Sequence, residues 1–140
     1  MIEAKIEQAV EILDELDIDV WMTFVRESLG LHDPCIDLVV GGNVTWQSAF
    51  LITRRGERIA IVGSLDKPNH TMHGHYAEII GYVGGISADL RKVLARLDPQ
   101  RIAINYSVDD SIADGLTHGM YLTLVQALAG TPYAERLESS

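Results

Sequence analysis

Three histidines, His70, His73 and His75, fall within six positions of one another. Imidazoles three apart share a helical face, and a His-x-His step can chelate on a strand or loop. A catalytic zinc takes three protein ligands and a water, so the count is suggestive. Two features argue otherwise. Gly74 sits between two of the rings and works against preorganisation, and no carboxylate within the loop stands ready to orient them. The expectation is a solvated, His-rich loop that binds nickel or zinc only adventitiously and holds no metal needed for folding.

The other chemical possibilities are weaker. Ser107 and Ser111 lie near Asp109 and Asp110, and His118 follows, but no nucleophile elbow or oxyanion hole accompanies them. Gly41-Gly42-Asn43 and Gly84-Gly85 open no helix with Lys-Ser/Thr, and read as turns that need positive φ. Cys35 is the single cysteine, which suits a reducing compartment. Asp33 and Asp37 surround it with negative charge, which opposes thiolate formation and a nucleophilic role. Trp46 lies between the Gly-Gly turn and a strand, flanked by polar Thr45 and Gln47. A tryptophan so placed can anchor a partner or ligand.

The elements that position these residues alternate. Ile2, Ile6, Val10, Leu13 and Leu16 recur at three- and four-residue steps and predict a helix over 3–16. Val20–Val25 reads as a strand buried on both faces. Ile36–Val40 is a strand or one helical turn. Ser48–Thr53 and Arg58–Gly63 flank Arg54-Arg55-Gly56-Glu57, which predicts a β-hairpin with Gly56 supplying the positive φ. Residues 68–75 form a loop or short helix, and 77–83 a strand interrupted by Gly81. Ser87 is placed to cap a helix over 88–97, which Pro99 follows. Arg101–Tyr106 is a strand. Thr117 caps a helix to about Ala129, with Tyr121, Leu124, Val125 and Leu128 turned inward and Gly130 as its stop. Helices on both sides of strands, with one hairpin, imply a three-layer α/β/α fold with a mixed sheet.

Composition sets the outer bounds. The chain of 140 residues is one ordinary domain, 1–140, large enough to fold without staples. A hydrophobic fraction of 47% with 22% charged excludes a disordered chain. Eleven basic against 20 acidic residues give a net charge of −9, which argues against nucleic acid and anionic membranes as partners. No signal peptide or spanning segment is visible, so a cytoplasmic location is expected.

Several stretches resemble, in order, the N-terminal domain of the creatinase/prolidase/Xaa-Pro aminopeptidase family. They are Asp19-Val20-Trp21-Met22-Thr23-Phe24-Val25-Arg26-Glu27, Asp33-Pro34, Thr45-Trp46-Gln47-Ser48-Ala49-Phe50, Arg58-Ile59-Ala60-Ile61-Val62-Gly63, and AINYSVDDSIADGLTHG from Ala103 to Gly119. The resemblance covers nearly the whole chain. It implies a mixed sheet with a ribonuclease-H-like motif. It also implies that the catalytic C-terminal domain, whose two metals are held by two Asp, one His and two Glu, is absent here. No catalytic residue or metal ligand carries over, so no cofactor is expected in this chain and a divalent metal pair only in a parent catalytic domain. The expected role is a noncatalytic domain of a Xaa-Pro dipeptidase/aminopeptidase-like metallopeptidase, serving oligomerisation and shaping of the substrate cleft. Its expected partner is its own catalytic domain or another subunit, in a homodimer. Arg26, Trp46 and His118 are the candidates for that surface. The alternative is a free-standing binding protein that kept the fold and lost the catalytic domain.

Overall fold

In a computed structural model, which describes residues 1–26, 33–42 and 44–140, six strands form one sheet. The strands are β1 (Val20–Val25), β2 (Ser48–Thr53), β3 (Arg58–Gly63), β4 (Glu78–Tyr82), β5 (Ile102–Ile104) and β6 (Leu137–Ser139). Their order is β4-β3-β2-β1-β5-β6. β2 pairs antiparallel with both β1 and β3, and every other pairing is parallel. Five strands therefore point the same way and β2 alone runs against them. The five-strand run β3-β2-β1-β5-β6, with β2 antiparallel, is the arrangement of the ribonuclease-H-like motif.

Four helices cover the sheet: α1 (Ile2–Leu16), α2 (Lys67–His73), α3 (Ser87–Leu97) and α4 (His118–Ala127). Alternation along the strands divides the apolar side chains between two cores. Val20, Met22, Leu51, Ile59, Ile61, Ile102 and Ile104 face Leu90, Val93 and Leu94 of α3 and Met120 and Leu124 of α4. Phe50, Ile52, Ala60, Val62 and Ala103 face Ile6, Ala9 and Leu13 of α1 and a single wide turn, Ile36–Val40. That turn is closed by Gly41 N–H donating to Ile36 O across five residues, so the helical alternative holds for this run and the strand does not. The three layers and the mixed sheet are those expected.

Local details differ. Thr117 caps α4 as expected, its hydroxyl accepting from Met120 N–H at 3.2 Å. Ser87 does not cap α3; Ile86 is the capping residue, and the Ser87 hydroxyl donates to Ala127 O at 2.9 Å, tying α3 to the end of α4. α4 buries Met120 and Leu124, while Tyr121 is 37% exposed and Val125 only partly covered. The apolar positions of this helix extend around it, so periodicity could not select the buried stripe. The hairpin turn is as expected, with Gly56 at φ +92°. β6 has no counterpart in the sequence reading: its three residues carry too little apolar patterning.

Candidate functional surface

Because five strands run parallel, their carboxyl ends lie along one edge of the layered body. In open α/β sheets this is where ligands and partners are met. Here it gathers the segments that follow β1, β3, β4 and β5 and the segment that precedes the antiparallel β2, since Val25 pairs with Ser48. Arg26, Trp46 and His118 all belong to these segments. The topology thus brings the three sequence candidates to one end of the sheet. They stand above different strands, however, and Trp46 and His118 line separate depressions.

Trp46 is 50% exposed and rigidly seated. Its flanking backbone is held by the Asp66 carboxylate, which accepts from Thr45 N–H at 2.9 Å and Thr45 Oγ1 at 3.1 Å. The Tyr82 hydroxyl donates to Gln47 O at 2.5 Å, and Ser48 Oγ to Trp46 O at 3.0 Å. Gly63, the last residue of β3, makes room for Trp46: a Cβ there would stand 3.3 Å from the Trp46 Cβ and Cγ. Beside it a shallow depression is lined by Thr45, Gln47, Tyr82, Val83, Gly84 and Gly85.

His118 opens α4 and is exposed. With Tyr106, Asp114, Leu116 and Tyr121 it lines a second depression, in which Tyr106 and Tyr121 meet edge to face at 6.4 Å. Arg26, just past β1, is exposed, and no ion pair joins it among the described residues. Glu27 and Asn43 lie outside the described residues. The Ser-His-Asp alternative finds no geometry. Ser107 Oγ accepts from Asp109 and Asp110 N–H at 3.2 and 3.0 Å, the Asp114 and Asp110 carboxylates cap the backbone of the same loop, and no hydrogen bond joins His118 to these groups among the described residues.

Below this end sits a buried polar network that sequence reasoning missed. Asn105 follows β5 and is 3% exposed. Its Nδ2 donates to Asp33 Oδ2 at 2.9 Å and to Thr23 Oγ1 at 3.2 Å, and its Oδ1 accepts from Trp21 Nε1 at 2.6 Å. Asp33 is itself buried, and its Oδ1 accepts from Cys35 N–H at 2.9 Å. The only signal available was its place beside Pro34 in the family-like Asp-Pro pair. Burial first, and the Asp33 carboxylate second, push the Cys35 thiol up to about 12, in line with the expected inert cysteine.

The histidine group splits. His70 is buried against Phe50, with ring centroids 5.3 Å apart. His73 is exposed and His75 partly buried, on the α1–α2 side, with centroids 6.4 Å apart. Among the described residues no group of three His, Cys, Asp or Glu side chains could hold a metal ion.

The two ends of the sheet differ in chemistry. At the carboxyl end Leu65, Val83, Val108 and Ile112 are each more than three-quarters exposed, in addition to Trp46. The opposite end is charged and internally paired. Arg54 bonds Asp14 at 3.0 Å and also Asp17, Arg96 bonds Glu78 at 2.8 Å, and Arg101 bonds Glu138 at 2.5 Å. A broad groove between these groups is lined by Asp14, Arg54, Arg55, Arg96, Asp98 and Gln100, among others. Among the described residues no helix is long and apolar enough to cross a membrane.

No family model and no curated protein matches the sequence. Solved structures do match. A Xaa-Pro dipeptidase from Bacillus anthracis superposes over 100% of this chain and 34% of its own, with TM-score 0.67 and 16% identity. An X-Pro aminopeptidase from Thermotoga maritima matches 96% of this chain and 33% of its own, with TM-score 0.71 and 14% identity. The creatinase/prolidase N-terminal domain of an X-Pro dipeptidase from Streptococcus pyogenes matches 98% of this chain and 93% of its own, with TM-score 0.66 and 14% identity. The chain thus spans about a third of the length of the first two and nearly all of the third. Its sheet order, its three layers and this end-to-end correspondence together make its fold that of a creatinase/prolidase-type N-terminal domain.

Proposed function

We propose that this chain is a noncatalytic accessory domain of a Xaa-Pro peptidase-like assembly. It docks through the carboxyl end of its sheet, where it forms part of the rim of a substrate cleft and a contact between subunits. The observation that carries the reading is the asymmetry of the two ends. Four very exposed aliphatic side chains and a half-exposed, hydrogen-bond-seated tryptophan crowd one end, and paired charges occupy the other. Such a concentration of uncovered apolar surface marks an interaction site. Trp46 is its anchor, Arg26 supplies a cation for a carboxylate or carbonyl, and His118 with Tyr106 and Tyr121 offers a polar-aromatic rim. A divalent metal pair belongs, on this reading, to a partner catalytic domain, and the site of action is the cytoplasm. The likeness to Xaa-Pro dipeptidase and aminopeptidase structures supports the choice of partner class.

The test is hydrolysis of Ala-Pro and a longer Xaa-Pro peptide by the purified chain with added Mn²⁺, Co²⁺ or Zn²⁺. No turnover above buffer is expected. Turnover that copurifies with the chain and survives removal of contaminants would overturn the reading.

A further inference from the structure

The histidine pair on the α1–α2 side carries chemistry that the accessory role does not use. His73 is the last residue of α2, and Gly74 follows in the left-handed region at φ +74°. That reversal brings His75 back beside His73 instead of to the far side of the chain. The His73 Nδ1–H donates to Asn69 O at 2.7 Å. The His75 Nδ1–H donates to Glu3 Oε1 at 3.0 Å, and Glu3 is held in turn by Arg58. A carbonyl and a carboxylate only accept, so both rings carry their proton on Nδ1 and present an Nε2 lone pair when neutral. This is the tautomer and the outer support that metal-binding imidazoles use: one ring nitrogen on a carboxylate or carbonyl, the other on the ion. Glu3 comes from α1, seventy-two positions away, and supplies the orienting carboxylate that the loop itself lacks.

We infer that the Nε2 atoms of His73 and His75 form a two-histidine site for a divalent first-row transition ion, with Glu3 and the Asn69 carbonyl as its outer supports. Two imidazoles on one tetrahedral ion, at Zn–N about 2.0–2.1 Å, have ring centroids roughly 5 Å apart. The observed separation is 6.4 Å, so binding requires the exposed His73 ring to turn toward His75. On its other side the His75 ring packs close to Gly41, where a Cβ would stand 3.4 Å from His75 Nε2 and clash with Ile2 Cδ1, so an ion reaches His75 from the His73 side. The remaining coordination positions go to water, so the ion exchanges and the fold does not depend on it. Nitrogen donors place Cu²⁺ above Ni²⁺ and Zn²⁺ in affinity.

The experiment is isothermal titration of Ni²⁺ and Zn²⁺ into the untagged chain, with His73→Ala, His75→Ala, Glu3→Gln and Glu11→Gln as variants. One ion per chain is expected. His73→Ala and His75→Ala each lose at least tenfold in affinity. Glu3→Gln loses roughly tenfold through misorientation of His75, and Glu11→Gln, on the same helix, loses nothing. Ring ¹⁵N spectra of the wild type under Zn²⁺ provide a readout independent of how the variants fold: Nε2 of His73 and His75 shifts while Nδ1 stays protonated. Unchanged binding in both histidine variants, or ion contact through Nδ1, overturns the inference. So does wild-type affinity no higher than that of a His73→Ala/His75→Ala double variant.

Discussion

Replacing Asn105 with alanine removes three hydrogen bonds at once, to Trp21, Thr23 and Asp33. Neutral bonds contribute about 1 kcal/mol each and a bond to a carboxylate about 1.5–3 kcal/mol, so the loss is about 3–5 kcal/mol. The upper part of that range applies because Asp33 and Thr23 are buried and water does not easily replace the lost donor. For a domain of this size the melting temperature falls by roughly 10–15 °C. Thr23→Val deletes only the 3.2 Å bond and should cost about 1 kcal/mol. Asn105→Asp keeps the acceptor for Trp21 but turns a second acceptor toward Asp33, so it should cost at least as much as the alanine change. Urea unfolding followed by Trp fluorescence and far-UV CD measures all three. The order Thr23→Val, then Asn105→Ala, then Asn105→Asp is expected. A loss below about 1 kcal/mol for both Asn105 variants would refute the view that this network pins the segments after β1 and β5 beneath the docking end.

Other expectations follow from the same geometry. With its thiol at about 12 against an ordinary value of 9.0, Cys35 should react with a disulfide reagent at pH 8 more slowly in the folded chain than in urea, by roughly 30-fold or more, the loss of thiolate being partly offset by its greater nucleophilicity; comparable rates would be the contrary result. Glu3 is held below its ordinary 4.5 by its hydrogen bonds to His75 and Arg58, so its contribution is present above about pH 5 and disappears as pH falls through the lowered value. The melting-temperature gap between wild type and Glu3→Gln should therefore close as the pH falls below that lowered value; a gap that widens there would contradict the pairing. EDTA should leave the melting temperature unchanged, because no ion contributes to folding, and a drop of more than about 5 °C would show a structural metal.

How much of this was legible beforehand depended on which residues carried a local signal. The hairpin was legible because Gly56 sits where only positive φ closes the turn, and α1 because its stripe is narrow. Burial of β1 on both faces was visible from its apolar residues, and β2 and β3 were legible as the two apolar runs of the hairpin. The inward face of α4 was not, since apolar residues surround it. The strand order required the resemblance, because periodicity carries no pairing information. At the candidate surface, Trp46 stood out by its polar neighbours and its turn. The Asn105–Asp33–Thr23 network did not, because its members are 72 and 82 positions apart and each is of a type usually found at the surface. The Glu3–His75 bond was hidden in the same way, joining the first turn of α1 to the end of α2.

The proposed docking role is tested most directly by sedimentation velocity on the purified chain at tens of micromolar, in low and in raised salt. With no other partner present, two copies should pair through the carboxyl end of the sheet in a twofold contact. The species observed should be a dimer of the 15.4 kDa chain, held or strengthened as salt screens the net charge of −9. Trp46→Ser combined with Val83→Asp should return it to monomer, while Arg55→Ala at the opposite end should leave the dimer intact. A 15.4 kDa species alone at both salt concentrations would contradict the role, as would a dimer indifferent to the Trp46 and Val83 changes.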